Sequence, residues 1–402
     1  MRILGVVSEF NPFHKGHQYL LRECRRSLGE DTLVVCAMSG DYVQRGEAAC
    51  FDKFARAEAA VRGGADLVAE LPLPWCLSSA EGFAGGAVAL LAALGCTDLG
   101  FGSECGDLEA LSRAADALND PETTAAIDAL LSGDPALSYA RARQEALSRR
   151  IGEEARLLEE PNNILAVEYL KAIRKQDCGI RPLTVRRIGA AHDGSDPEEA
   201  LPSAMRLRDI LREGGEIDAF VPEECAAVYR REIEEGRALD PALLEKLLLS
   251  RLYALDAVQF DQLPDAGDGA GRRLMKALQE GKGLEETAAL ASSKRHTRAR
   301  MRRMLLCAAL GLRRDDAEGF PPYVRLLAMN ENGQAFLHEH AKHPPLPILS
   351  KAAAVRALGS RAERVFSLGA SAHDLYCLQM MTSSNICMSE DWKTGPRLVK
   401  KR

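Results

Sequence analysis

Two histidines three residues apart, with a glycine between them, stand near the head of this chain: His14-Lys15-Gly16-His17, inside the string Ser8-Glu9-Phe10-Asn11-Pro12-Phe13-His14-Lys15-Gly16-His17. Two imidazoles at i and i+3 at a helix start can donate to phosphate oxygens and stabilise the charge that builds on a pentavalent phosphorus. A helix N-terminus adds unpaired N–H groups and the positive end of the peptide dipole. Gly16 leaves the backbone bare, so that a phosphate can come close. The chemistry these residues fit is displacement at the α-phosphate of a nucleotide, with His14 and His17 as the catalytic pair. The alternative is a capped helix start carrying two partly exposed histidines.

A nucleotide needs a grip on its remaining phosphates, and the common glycine-rich patterns do not supply one. Gly281-Lys282-Gly283 lacks the spaced first glycine and the hydroxyl residue of a P-loop, and no GxGxxG follows the first apolar run. Ser203 and Arg206 are candidates instead, as a hydroxyl and a guanidinium at another helix start; an ordinary N-cap with a surface arginine is the alternative. The loop Ser39-Gly40-Asp41-Tyr42-Val43-Gln44-Arg45-Gly46-Glu47 offers Ser39, Gln44 and Arg45 to a small carboxylate substrate, unless it is merely a solvated loop. Lys53 and Arg56 share one face of the next helix and either reach the same site or face water. Asn162 and Asn163 precede a helix, where they cap it or read adenine or ribose. Gly102 lets an adenine ring lie on bare backbone.

The densest charge is Lys294 to Arg303, in which six of ten residues are Lys or Arg. Lys294, Arg295, Arg298, Arg300, Arg302 and Arg303 are candidates to grip an RNA backbone through counterion release. Met301, Met304, Leu305 and Ala308 supply the opposite, core-facing stripe. A solvated face paired to acids is the alternative, weakened because no acid falls between Glu286 and Asp315. Lys393, Arg397, Lys400, Lys401 and Arg402 form a second basic group at the C-terminus, either a further backbone contact or a disordered end.

These residues need a frame. Apolar runs predict strands at Ile3–Val7, Thr32–Met38, Asp66–Leu71, Thr97–Phe101 and Leu183–Ile188. Helical spacing predicts helices near His17–Leu28, Phe51–Arg62, Glu81–Leu94 and Asn163–Arg174. Such alternation makes a parallel sheet with helices on both faces, which binds ligands at the carboxyl ends of its strands. His14, Ser39-Gly40, Leu71-Pro72, Gly102 and Arg187-Ile188 all follow strand ends. A polar helical insertion is expected at about 108–159. Past about residue 217 the strand pattern disappears; Leu239–Leu255, Gly269–Gln279, Leu284–Leu290, Thr297–Leu310 and Lys351–Ala357 read as helices. The expected division is therefore 1–215, an α/β nucleotide-binding domain, and 216–402, a mostly α region.

With 402 residues, 46% of them hydrophobic and 27% charged, the chain has the composition of a soluble globular protein with room for two or three domains. The net charge of −6 rules out a global basic field, so nucleic acid must be met by a local patch. No uninterrupted apolar run of eighteen residues is present, and the first apolar run is too short for a signal peptide. Eleven scattered cysteines form no CxxC pair and no Cys/His cluster at zinc spacing, so no metal site is expected. A reducing cytoplasm and no membrane contact are expected.

The string around His14 is similar to the opening of the bacterial tRNA(Met) cytidine acetate ligases, members of the HxGH nucleotidyltransferase superfamily. Met38 to Glu47 resembles their next signature, as do Asp66-Leu67-Val68-Ala69-Glu70-Leu71-Pro72, Phe101-Gly102-Ser103-Glu104, Asn162-Asn163-Ile164-Leu165-Ala166 and Arg187-Ile188-Gly189-Ala190. Looser likeness continues through Ser292–Arg303, Arg325–Asn330 and Asp374-Leu375-Tyr376. One departure is Ser8, at a position the family more often fills with an apolar residue. The resemblance implies a nucleotidyltransferase-like fold and an ATP-dependent ligase. Such an enzyme activates acetate as acetyl-adenylate and transfers the acetyl group to the wobble cytidine of elongator tRNA(Met). By the same resemblance ATP contacts Val7, Ser8, Glu9, Phe10, Asn11, Pro12, Phe13, His14, Lys15, Gly16, His17, Gln18, Tyr19, Leu20, Gly102, Asn163, Arg187 and Ile188. Mg²⁺ is expected to bridge the phosphates with few protein ligands. Two rivals are a small-molecule adenylyltransferase of the same fold and a non-catalytic nucleotide- or RNA-binding protein.

Overall fold

The computed structural model describes residues 1–134, 137–187, 202–340, 344–380 and 388–400. The apolar runs form β1 (Ile3–Ser8), β2 (Leu33–Ser39), β3 (Leu67–Leu71), β4 (Asp98–Ser103) and β5 (Arg181–Arg186). Between them lie α1 (Lys15–Leu28), α2 (Lys53–Arg62), α3 (Ala80–Ala93) and α4 (Pro161–Gln176). β1 pairs in parallel with β2 and β4, β2 with β3, and β4 with β5. Adjacent β1 residues enter different cores. Ile3 joins Val35 and Ala37 of β2 under α3, while Leu4 and Val6 join Val34, Cys36 and Met38 under α1 and α2. Two glycines allow the helices to sit close. A Cβ at Gly5 would come within 2.9 Å of Leu91 in α3, and one at Gly100 within 2.7 Å of Cys24 in α1.

The expected helical insertion comprises helices Leu108–Asn119, Pro121–Gly133 and Tyr139–Ile151 and the 3₁₀ segment Gly152–Glu159. It packs through Leu111, Ala114 and Leu147 on the α3–α4 side. After α5 (Ala204–Arg212) the chain is mostly helical, including α6 (Arg298–Ala309), but strands do not stop. β6 (Val324–Met329) runs antiparallel to β3, pairing Leu67 with Met329 and Glu70 with Arg325. Ile348–Leu349 and β7 (Arg397–Leu398) pair in parallel with β6. Among the described residues the sheet therefore has eight strands, and the path β7-β6-β3-β2-β1-β4-β5 is mixed rather than wholly parallel. The expectation of no strand after residue 217 is thus corrected. Segment 351–357, read as helical, forms a 3₁₀ helix over Ala352–Leu358.

A buried ring of charge fastens the returning chain. Lys53 Nζ lies 3.0 Å from Glu70 Oε1 and 2.6 Å from Asp391 Oδ2, and Arg325 Nη1 lies 3.1 Å from Glu70 and 2.7 Å from Asp391. Two cations and two carboxylates thereby compensate one another out of water. Arg56 is equally buried and donates to the carbonyls of Glu9, Ser39, Gly40 and Phe51. Neither Lys53 nor Arg56 forms a wet face or reaches a binding site. Asp391, which closes the charge around Lys53, lies 338 residues away, and local spacing could not reveal it.

Candidate active site

The loop from β1 to α1 is held from two sides. Arg56 binds the Glu9 carbonyl, and Arg208 of α5 donates to the Asn11 carbonyl at 3.0 Å. Phe10 sits at φ 44°, in the left-handed region that non-glycine residues seldom occupy. Its ring packs edge-on against Phe13 and His17, with centroids 4.9 and 5.0 Å away. His14 is the N-cap of α1. Its Nδ1 accepts the Gly16 N–H at 2.9 Å, while His17 Nδ1 reaches back to accept the His14 N–H at 3.3 Å. Histidines thus play both parts of a capping box.

This cap decides the tautomers. Each Nδ1 accepts a backbone proton and is therefore bare, so each ring carries its own proton on Nε2. Burial and the neighbouring Arg187 push the His14 imidazole down to about 4. Burial, His14 and Arg187 hold His17 well below its ordinary value. Both rings are neutral at pH 7 and lie tilted by 34° at a centroid separation of 4.0 Å. Gly16 has a different part from the one expected. A Cβ there would meet His14 Cε1 at 2.7 Å, so the glycine makes room for the capping ring.

A cavity of about 320 Å³ opens at the carboxyl ends of β1 and β4. Val7, Ser8, Glu9, Phe10, Asn11, His14, His17, Leu20, Gln44, Arg45, Gly102, Arg187 and Ser203 line it, all expected from the sequence. Buried polar atoms without partners lie on its wall: Ser8 Oγ, Asn11 Nδ2 and Arg208 Nε. Burial pushes the Glu9 carboxyl above its ordinary range, against the pull of Arg45. Glu9 also accepts the Gln44 N–H at 3.0 Å, which ties the hairpin of Tyr42–Val43 and Glu47–Ala48 to the cavity.

Other expected residues lie elsewhere. Phe13 points into the second core, its N–H bound to the Tyr229 hydroxyl at 2.8 Å. Lys15 donates to the Ala219 carbonyl. Pro12, Gly16, Gln18 and Tyr19 do not line the cavity. Ser39 is fully buried away from it. Asn163 accepts the N–H groups of Glu104 and Cys105, and Asn162 faces the cavity instead. Arg206 is half exposed and pairs with Glu213, whereas Arg208, two residues on, reaches the cavity and Glu47. The stem of Arg187 lies over Gly102, 3.2 Å from where a Cβ would be. Ile188 lies outside the described residues, as do Gly189, Ala190, Lys401 and Arg402. Sequence reading missed Phe83, Phe101, Leu165, Tyr169, Met205 and Arg208 in the wall. The aromatic and aliphatic members gave no signal beyond that of ordinary core residues.

The basic segment forms α6 with Thr297 as its N-cap, and Met301, Met304, Leu305 and Ala308 are buried as expected. Arg298 and Arg302 pair with Glu285, which lies just before Glu286 and so outside the acid-free stretch. Arg300 donates to the Asp265 carbonyl at 2.7 Å, and Arg303 is largely buried. Lys294 and Arg295 are exposed; Lys294 faces Arg141 and Arg149 across a groove of about 770 Å³. Arg397 is not part of a loose end: it lies in β7 and pairs with Glu58 of α2. One convergence escaped the cysteine reading. His373 and Cys377, one helical turn apart, meet Glu390 with ligand atoms within 4.8 Å of one another. His373 is held there by Asp41 at 2.8 Å and Glu390 at 3.4 Å. Against the cost of burial, Asp41 and Asp391 raise its basicity. No described helix is long and apolar enough to cross a membrane.

Comparison with known proteins agrees with this geometry. Residues 1–391 match the family model described as HIGH Nucleotidyl Transferase. The tRNA(Met) cytidine acetate ligase of Caldanaerobacter subterraneus subsp. tengcongensis is 37% identical over 94% of this chain and 95% of its own length. That of Syntrophotalea carbinolica is 35% identical over 90% of this chain and 89% of its own. The crystal structure of Thermotoga maritima TmcAL bound with alpha-thio ATP superposes with a TM-score of 0.91 at 31% identity, covering both chains fully.

Proposed function

Because the chain belongs to the tRNA(Met) cytidine acetate ligases among the HIGH nucleotidyl transferases, we propose that it is an ATP-dependent ligase. Acetate is activated as acetyl-adenylate with release of pyrophosphate. The acetyl group then passes to the wobble cytidine of elongator tRNA(Met), giving N(4)-acetylcytidine and AMP. The observation that carries this reading is the pair of neutral imidazoles, each locked with its proton on Nε2 beside one cavity. Neutral donors suit an attack by acetate, because they stabilise charge developing on phosphorus without drawing the carboxylate into an ion pair. Asn11 Nδ2 adds a third buried donor, and Arg45, Arg187 and Arg208 supply the positive field a triphosphate needs. Among the described residues lining the cavity, Glu9 is the one carboxylate. That donor set suits a Mg²⁺ brought in by the nucleotide rather than one held by the protein; when bound, it neutralises phosphate charge. Cytosine's amine is a weak nucleophile, and AMP is the leaving group that makes its acylation feasible. The cytoplasm, where charged nucleotide and tRNA meet, is the proposed compartment.

Incubation with ATP, labelled acetate and bulk bacterial tRNA, followed by nucleoside analysis, tests the reading. Label is expected in N(4)-acetylcytidine, with AMP and pyrophosphate released in equal amounts. Efficient transfer from acetyl-CoA without ATP would overturn it.

A further inference from the structure

A second cavity of about 700 Å³ adjoins the first and shares Gln44, Arg45, Met205 and Arg208 with it as a common wall. Its far side is α6, through Arg298, Ala299 and Arg302, and its floor is apolar, with Leu244, Leu248 and Leu305. The hairpin that carries Gln44 and Arg45 is seated on that helix. Gly46, at φ +78°, packs so closely that a Cβ would lie 2.8 Å from Arg302 Cβ and from the Arg303 nitrogen. The wall between the cavities is therefore built partly by α5 and partly by a hairpin tip resting on the basic helix.

We propose that this second cavity is the acceptor subsite, into which the target cytidine is turned out of its RNA strand. The inference rests on the ligase reading above. A stacked base cannot bring its exocyclic amine to an acyl-adenylate, and enzymes that act on a base extrude it into a pocket at a cost of a few kcal/mol. The volume lies in the range of nucleotide-sized pockets, roughly 300–1,000 Å³. An apolar floor takes the base face. Arg298 and Arg302 stand at the rim, 53% and 39% exposed and paired only with the half-exposed Glu285. Surface pairs of this kind are worth only about 0–1 kcal/mol, so an RNA phosphate can displace them. Because Gln44, Arg45, Met205 and Arg208 line both cavities, a base in the second lies beside an adenylate in the first. There its nitrogen attacks the acetyl carbon, the C–O bond to the phosphate breaks, AMP leaves with the electron pair, and the amine proton goes to water.

Ala299→Trp fills the second cavity from its exposed rim without touching an ion pair or the first cavity. Acetate-dependent ATP–pyrophosphate exchange without tRNA, tRNA affinity, and single-turnover acetyl transfer to tRNA are measured together. The expected result is exchange within about twofold of the parent, affinity within about threefold, and transfer reduced at least tenfold. Transfer at the parent rate would overturn the subsite. Parent protein that shows no exchange would overturn the ligase reading itself. A second measurement needs no substitution: tRNA carrying 4-thiouridine at the target position is photocrosslinked to the parent protein. Crosslinks within 44–48, 205–212 or 298–306 are expected, and crosslinks confined to other segments would overturn the assignment.

Discussion

His14→Asn separates two jobs that one side chain performs. Asparagine is among the best N-caps, so the bond to the Gly16 N–H is kept and the cap changes by less than about 1 kcal/mol. The Nε2 proton is lost, and with it one preorganised donor. Loss of a single such donor lowers the rate by ~10²–10³, or about 2.7–4 kcal/mol in the barrier. Acid stability must change the other way. His14 titrates at about 4 in the fold against 6.5 when exposed. The unfolded chain takes up its proton first, so stability is undiminished above pH 6.5 and falls as pH drops toward 4. The full effect is ~3 kcal/mol, with about 2–3 kcal/mol already lost at pH 4.5. The variant should therefore adenylate acetate ~10²–10³-fold more slowly at pH 7.5, as read by pyrophosphate exchange. It should also lose about 2–3 kcal/mol less than the parent between pH 7.5 and 4.5, as read by urea unfolding. Exchange within threefold of the parent would refute the donor role. An unchanged acid slope would refute the buried neutral ring.

Gly16→Ala should reduce exchange by a similar factor of about 10²–10³ with little loss of stability, because the new Cβ displaces the His14 ring rather than the helix; full exchange would refute this. Asp391→Ala should cost about 3–5 kcal/mol in urea unfolding, since Lys53 and Arg325 are left buried with Glu70 alone; a loss under 1 kcal/mol would contradict the charge ring. Replacing both Arg298 and Arg302 by Glu should weaken tRNA binding and flatten its salt dependence by about one log–log unit per lost phosphate contact. Exchange without tRNA should persist, and filter binding at two salt concentrations with unchanged slope would move the RNA contact off α6.

Strands β1 to β4 were legible because each is an apolar run with helical spacing after it, whereas β5 showed only through Leu183 and Val185 between polar residues. β6 is just as apolar over Leu326, Leu327 and Ala328, but it follows helices and carries Arg325. A charge within a buried strand is tolerated only through Glu70 and Asp391, and their proximity is tertiary. The histidine turn was legible as a helix start at a strand end; its capping geometry was not, because it depends on which nitrogen faces the backbone. Neighbours were confused where helix phase decides, as with Asn162 and Asn163 or Arg206 and Arg208. The acidic partner of the basic helix, Glu285, escaped because it sits on the preceding helix, Leu284–Ala291, and meets Arg298 and Arg302 only through helix packing.

The antiparallel seam between β3 and β6 sets the order in which this protein can be made. Leu67 meets Met329 across the sheet, so the N-terminal half leaves the ribosome with β3 as a bare edge. A ribosome adding about 5–20 residues per second needs roughly 13–50 s to deliver the partner strand. During that interval the edge offers unpaired backbone groups to any other strand. Glu70 is its guard: a carboxylate on the open edge discourages foreign pairing, and Arg325 later neutralises it. Long-range closure of this kind makes folding slow. Chains truncated before residue 324 should therefore accumulate in aggregates rather than as a smaller working enzyme.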